Sequence, residues 1–228
     1  MTTIDMTENS KLALRQVTLL TPNYQRTLIT ELSATINRGE GMVIVGHSGS
    51  GKSSVLRAIA GLWNAGTGHI IHPSSTDMMF LPQRPYMVLG SLRSQLLYPN
   101  TDPNISESKL RQVLEEVNLK DLPERVGGFD AELDWANVLS LGEQQRLAFA
   151  RLLLSARSYA ILDEATSALD ITNERRLYQQ LKATGTTIIS VGHRRSLLQY
   201  HEYVLKLDGD SNWQLMPTRE YNSAEEVY

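Results

Sequence analysis

The stretch Met42–Leu62, MVIVGHSGSGKSSVLRAIAGL, constrains this chain more than any other. Met42–Val45 is continuously apolar, which predicts a short strand covered on both faces. Val55, Leu56, Ile59 and Ala60 recur at helical spacing, and Gly61 ends that run. Between strand and helix, Gly46-His47-Ser48-Gly49-Ser50-Gly51-Lys52-Ser53, followed by Ser54, fits the pattern G-x-x-x-x-G-K-[ST]. Glycines let such a loop wrap a polyphosphate with several backbone N–H groups turned inward. Lys52 adds a point charge for the β- and γ-phosphates, and Ser53 offers a hydroxyl to Mg²⁺. A strand, loop and helix in this order predict an α/β sheet that binds a nucleoside triphosphate.

Tyr159–Asp170, YAILDEATSALD, supplies a second half. Its apolar start places Asp163 and Glu164 at the carboxyl end of a buried strand, where open α/β sheets bind ligands. One carboxylate can hold Mg²⁺ and the other can polarise a water for in-line attack on the γ-phosphate. Two polar residues sit at further strand ends. Gln83 follows MMFLP and can reach the metal or the attacking water; His193 follows TIISVG and can contact the γ-phosphate. His69, His72 and His201 have no comparable setting and read as structural or surface residues, as does the His47 side chain. Trp63 and Trp135 read as packing residues.

Elsewhere the patterning agrees with a mostly parallel sheet. ELSATIN alternates Leu32, Ala34 and Ile36 against Glu31, Ser33 and Thr35, the period of a half-buried strand, and LALRQVTLL is similar. From Gly90 to about Leu154 the character turns helical, with Leu110, Val113, Leu114 and Val117 on one face and Ser106 as an N-cap. Beyond YAIL come a helical pattern over Glu174–Leu181, the strand TTIISV and a hairpin around Asp208–Asn212. In VLSLGEQQRLAFARLLL, the residues Ser140, Leu141 and Gly142 predict a tight turn with a helix directly after it. That helix start is a second anion-binding end in a chain that already has one.

The 228 residues carry 41% hydrophobic and 21% charged side chains and a net charge of −3. These values suit one globular core and give no basic field for nucleic acid. Cysteine is absent, so disulfides and Cys-ligated zinc are excluded. The opening MTTIDMTENS lacks the features of a signal peptide, and no apolar run approaches the ~20 residues that span a bilayer.

GHSGSGKSS, FLPQRPYM, LSLGEQQR, YAILDEATSALD and VGHR stand in the order found in ABC-transporter ATPase domains. The resemblance covers essentially the whole chain. Within that family, LPQRPYMVLGSLRSQLLYP, GLW and SVGHRRSLLQYHE are similar to the exporter-type peroxisomal fatty-acid transporters (subfamily D) and their bacterial relatives. The implied fold is α/β: a P-loop NTPase with a RecA-like parallel sheet core, an N-terminal antiparallel β portion and an inserted helical subdomain. The implied organisation is one nucleotide-binding domain over 1–228, with the helical insertion at about 90–154.

The resemblance implies ATP and Mg²⁺ as cofactors and ATP hydrolysis that drives transport. It also implies a second ATPase domain and a transmembrane domain as partners, and a place on the cytoplasmic face of a membrane. The P-loop residues Gly46, His47, Ser48, Gly49, Ser50, Gly51, Lys52, Ser53 and Ser54 would cradle the phosphates. Asp163 and Ser53 would hold the metal, Glu164 would be the catalytic base, Gln83 would sense the metal and face the membrane partner, and His193 would orient the γ-phosphate. Ser140 and the Gly142 backbone would bind the γ-phosphate of ATP held by the partner, and Asp170 would lie across the dimer interface. The family signature reads Leu-Ser-Gly-Gly-Gln, so Leu141 takes a glycine position and would be strained if the turn needs positive φ. The adenine-stacking residue is open between Tyr24 and the position of Thr21. The alternative is a soluble ABC ATPase of DNA repair or translation.

Overall fold

A computed structural model describes residues 2–99 and 102–221; the remainder of the expected 1–228 domain lies outside the described residues. The described chain divides into two compact units. The first takes in the chain up to Phe80, Ser158–Asp163 and the chain from Thr186 on; the second takes in Leu81–Arg157 and Glu164–Gly185.

The first unit holds two sheets and a helix. Its strands are β1 (Asp5–Glu8), β2 (Leu12–Leu20), β3 (Thr27–Ile36), β4 (Met42–Gly46), β5 (Gly66–His72), β6 (Met78–Leu81), β7 (Tyr159–Asp163), β8 (Thr187–Val191), β9 (Tyr203–Leu207) and β10 (Trp213–Pro217). Helix α1 spans Lys52–Ile59. One sheet runs β10-β9-β4-β8-β7-β6, the other β1-β5-β2-β3. In the first, β9, β4, β8 and β7 pair in parallel and β10 is an antiparallel addition. In the second, β2 pairs antiparallel with β3 and β5, while β1 joins β5 in parallel. The alternation in β3 is realised, with Leu32, Ala34 and Ile36 buried and Glu31, Ser33 and Thr35 exposed.

Both sheets contribute to one core. Leu14, Leu19, Ile29 and Ile36 from one, Met42, Ile44, Ile161 and Ile189 from the other, and Val55, Leu56 and Ile59 from α1 all pack in it. All five residues of β7 and of β8 are buried, as expected for strands covered on both faces. Register fixes the consequence for function. Ile44 pairs with Val191 and Asp163 pairs with Val191, so β4, β7 and β8 end side by side and release Gly46, Asp163 and Gly192 at one carboxyl edge.

The second unit is helical: α2 (Leu92–Leu97), α3 (Glu107–Glu116), α4 (Leu122–Val126), α5 (Trp135–Val138), α6 (Leu141–Ser155) and α7 (Ile171–Ala183). Ser106 caps α3 as expected, accepting from the Lys109 N–H. Trp135 is buried and its indole N–H donates to the Gly90 carbonyl at 2.7 Å.

Two expectations are corrected here. No tight turn forms at Ser140–Gly142: Ser140 is the N-cap, and Leu141 and Gly142 already lie in the helix. Leu141 is absent from the positive-φ residues among those described, so it carries no left-handed strain. The physical cause is a capping box, in which Ser140 Oγ accepts from the Glu143 N–H while the Glu143 carboxylate accepts from the Ser140 N–H. Likewise α7 starts at Ile171, earlier than the Glu174 expected, because Asp170 caps it through the Asn173 N–H.

Candidate nucleotide site

The loop between β4 and α1 opens at the sheet's carboxyl edge. Gly46 has φ 142, and a Cβ there would lie 2.4 Å from the Leu207 carbonyl oxygen, so only glycine leaves room for the chain to turn. Gly51, with φ 98, is the N-cap of α1 and supplies no side chain; no acidic residue stands in the helix's first turn. The start of α1 thus receives no side-chain cap from its N-cap residue, whereas α6 makes one for itself. A helix start beneath a glycine loop, with no side-chain cap and no acidic residue in its first turn, favours a bound anion.

Side chains complete the cradle. Lys52 is buried, and its Nζ donates to the Gly46 carbonyl at 2.7 Å and the His47 carbonyl at 2.8 Å, which holds the ammonium against the loop. Ser50 is 2% exposed and its hydroxyl lacks a hydrogen-bond partner among the described residues. An orphaned buried hydroxyl of this kind costs about 1–3 kcal/mol. Ser53 Oγ donates to Asp163 Oδ1 at 2.8 Å. That pair of hard oxygen donors suits Mg²⁺, which completes its shell with water and phosphate oxygens. Among the described residues, no group of three or more His, Cys, Asp or Glu side chains gathers to hold a metal by itself.

A cleft of ≈ 390 Å³ is lined by Gly46, His47, Ser48, His193, Arg194 and Tyr221, among others. The structure thus brings His193 to the same cleft as the loop's first residues. The His47 ring accompanies the loop structurally, contacting the Ser48 and Asp208 carbonyls at 2.8 and 3.2 Å. His201 is buried between the Leu197 carbonyl and Ser190 Oγ, a structural role as expected. Tyr24 lies at φ 58 in the turn that follows β2, its N–H bonded to the Thr21 carbonyl.

The second unit places the other candidates. Glu164 follows Asp163 directly, adopts a left-handed φ of 51, and accepts at its carbonyl from the Ser167 N–H. Gln83 is exposed, and its Nε2 donates to Ser167 Oγ at 3.3 Å. Ser140 is exposed at the start of α6. Its capping role uses the hydroxyl as an acceptor and leaves the proton to donate outward, beside the Leu141 and Gly142 N–H groups that have no intrahelical acceptor. Gly142 is helical, and a Cβ there would stand 3.2 Å from the Ala168 carbonyl oxygen, so close approach rather than positive φ is what glycine eases here. Asp170 accepts from both the backbone and side-chain N–H groups of Asn173, and these bonds hold its carboxyl below the ordinary value.

Sequence reasoning missed Arg125. It pairs with Glu143 at 2.6 Å, on the carboxylate that also receives the Ser140 N–H. Burial pushes the Glu143 carboxyl up, but Arg125 and the Ser140 N–H together bring it below the usual carboxylate range. A lowered carboxyl stabilises the fold above its unfolded value of about 4.3, and that contribution disappears as pH falls through the lowered value. Glu143→Gln is therefore expected to cost up to ~1 kcal/mol at neutral pH, discounted for the half-exposed guanidinium. The melting-temperature gap to the unsubstituted chain should hold down to about pH 5 and close in stronger acid. A gap that widened on acidification would reverse the sign of this argument.

The ABC transporter family model matches residues 29–167. An uncharacterized ABC transporter ATP-binding protein of Synechocystis is 52% identical over 90% of this chain and 31% of its own length. ABC transporter D family member 2, chloroplastic, of Arabidopsis thaliana is 42% identical over 90% of this chain and 36% of its own. The human ATP-binding cassette sub-family D member 3 is 40% identical, over 87% and 31%. Among solved structures, a bacterial Atm1-family ABC exporter with ATP bound superposes with a TM-score of 0.74 at 25% identity, covering 91% of this chain and 39% of that one. The chain spans about a third of the length of the curated relatives it matches. It belongs to the ABC transporter family, as one of its ATP-binding ATPase domains.

Proposed function

We propose that this chain, acting over 1–228 as one nucleotide-binding domain with the helical segment at about 90–154 inserted, is the motor of a membrane transporter of the exporter type. It works as a head-to-tail dimer on the cytoplasmic face of a membrane. The observation that carries the reading is the Gly46–Ser53 loop over an uncapped α1, with Ser53 already bonded to Asp163. Gly46–Ser54 take the phosphates of ATP, Lys52 turns its charge from the loop carbonyls toward the β- and γ-phosphates, and His193 contacts the γ-phosphate. Ser53 and Asp163 would hold Mg²⁺, and Gln83 would sense it. When bound, the ion neutralises charge on the β- and γ-oxygens.

Glu164 accepts a proton from the water that attacks the γ-phosphorus. The bond from that phosphorus to the bridging oxygen breaks, and ADP leaves with the electron pair. The Ser140 hydroxyl and the Leu141 and Gly142 N–H groups of a second copy meet the same γ-phosphate, which explains why one chain has two anion-binding helix starts. Asp170 stands near that second copy while capping α7.

Tyr86 at 64% and Leu89 at 96% exposure, three and six residues after Gln83, support docking of a transmembrane domain on this segment. Among the described residues no helix is long and apolar enough to cross a membrane. The relatives named above are all ABC transporter proteins, which leaves the repair or translation alternative unsupported. Phosphate release at saturating Mg-ATP should rise per molecule as protein concentration rises and then level off, because two copies build each site. A rate per molecule independent of concentration, or no hydrolysis at all, would end the proposal.

A further inference from the structure

Gln145 is fully buried on α6, little more than one turn from Ser140. A buried amide is costly unless its donors and acceptors are matched, and here they are matched to distant segments. Its Oε1 accepts from the Ala168 N–H at 3.0 Å. Its Nε2 donates to the Gln83 carbonyl at 2.8 Å and to Ser167 Oγ at 3.1 Å. Ser167 Oγ also accepts from Gln83 Nε2, so one hydroxyl gathers both glutamines. Three residues before Gln145, on the same helix face, Gly142 lies so near the Ala168 carbonyl that a Cβ would stand 3.2 Å away. Farther along α6, buried Arg151 donates to the Tyr86 carbonyl at 2.7 Å, and Gln95 bonds Val88 through both its N–H and its carbonyl.

We propose that Gln145 is a positioning residue that makes Gln83, the Glu164–Ala168 turn and the start of α6 move as one piece. A filler would serve as well as leucine; a satisfied polar hub selects one arrangement of three segments. Gln145 touches neither nucleotide nor metal. It acts through Gln83 and through the turn that begins at Glu164, so a shift of the exposed segment after Gln83 reaches both phosphate-facing groups together. In its effect on turnover this inference rests on the ATPase reading above; in its effect on backbone protection it does not.

The test uses the full chain with Gln145→Leu and, in case that variant does not fold, Ser167→Ala. By hydrogen–deuterium exchange, the Ala168 amide and the 83–88 backbone should open on the order of tenfold faster in Gln145→Leu, with a smaller change at the same places in Ser167→Ala. ATP affinity should stay within about twofold while kcat falls on the order of tenfold, since misplacement affects chemistry more than binding. Gln83→Ala should add little further loss of kcat in the Gln145→Leu background, because both act through one unit. Unchanged exchange at 83–88 and at Ala168, or losses that simply multiply in the double variant, would overturn the proposal. Were the unsubstituted chain inactive on ATP, the ATPase reading would fall and exchange would still decide the role of Gln145.

Discussion

Glu164→Gln should retain ATP binding, lose on the order of a hundredfold to ten-thousandfold in phosphate release, and collect as a nucleotide-bound dimer. The amide has the size and shape of the carboxylate but is a poor proton acceptor, so water loses its base while phosphate contacts stay. Backbone geometry makes the interpretation clean. Glu164 sits at φ 51, a left-handed conformation that costs a non-glycine residue about 1 kcal/mol, and glutamine bears the same cost. Glu164→Gly removes both strain and base. It should be at least as stable as the glutamine variant yet equally inactive, which separates the carboxylate's chemistry from the shape of the turn. Light scattering on the gel-filtration peak with Mg-ATP reads the dimer. A monomer-only peak, or turnover within tenfold of the unsubstituted chain, would remove Glu164 from its assigned place.

What the sequence made legible is what local pattern determines. The apolar run Met42–Val45, the alternation in β3 and the spacing in α1 each encode their own element, and the glycines announce a loop whose φ values only they adopt comfortably. The start of α6 was legible too, since Ser140-x-x-Glu143 is a capping-box pattern, but the run Ser140, Leu141 and Gly142 equally reads as a tight turn. Asp170 gave the same kind of signal for α7. The roles of Arg125, Gln145 and Arg151 were not legible. Arg125 meets Glu143 from another helix, Gln145 reaches Gln83 across 62 residues, and Arg151 reaches Tyr86 across 65. No period or propensity encodes a partner at that distance. Arg151 is also unusual electrostatically, since burial lowers its guanidinium to about 10, which composition alone never indicates.

Two inactive variants should restore each other when mixed, and this decides whether Ser140 serves its own nucleotide or a neighbour's. Ser140→Arg should bind ATP as a monomer but fail to turn over, because a long cation replaces the small hydroxyl at the start of α6. If each site joins the P-loop and Glu164 of one molecule to the Ser140 of the other, a mixed dimer with Glu164→Gln carries both faults in one site and neither in the second. Each mixed dimer holds one whole site, and random pairing would make half of the dimers mixed, so equal mixing should recover up to about a quarter of full activity, and less to the extent that Glu164→Gln pairs with itself. If Ser140 acts within its own chain, every site in every dimer keeps one fault and mixing recovers nothing. Recovery should also follow the square of total concentration when dilute, since the whole site exists only in the pair. Activity that stays at the level of the separate variants at every ratio would place Ser140 with its own P-loop and dissolve the head-to-tail arrangement.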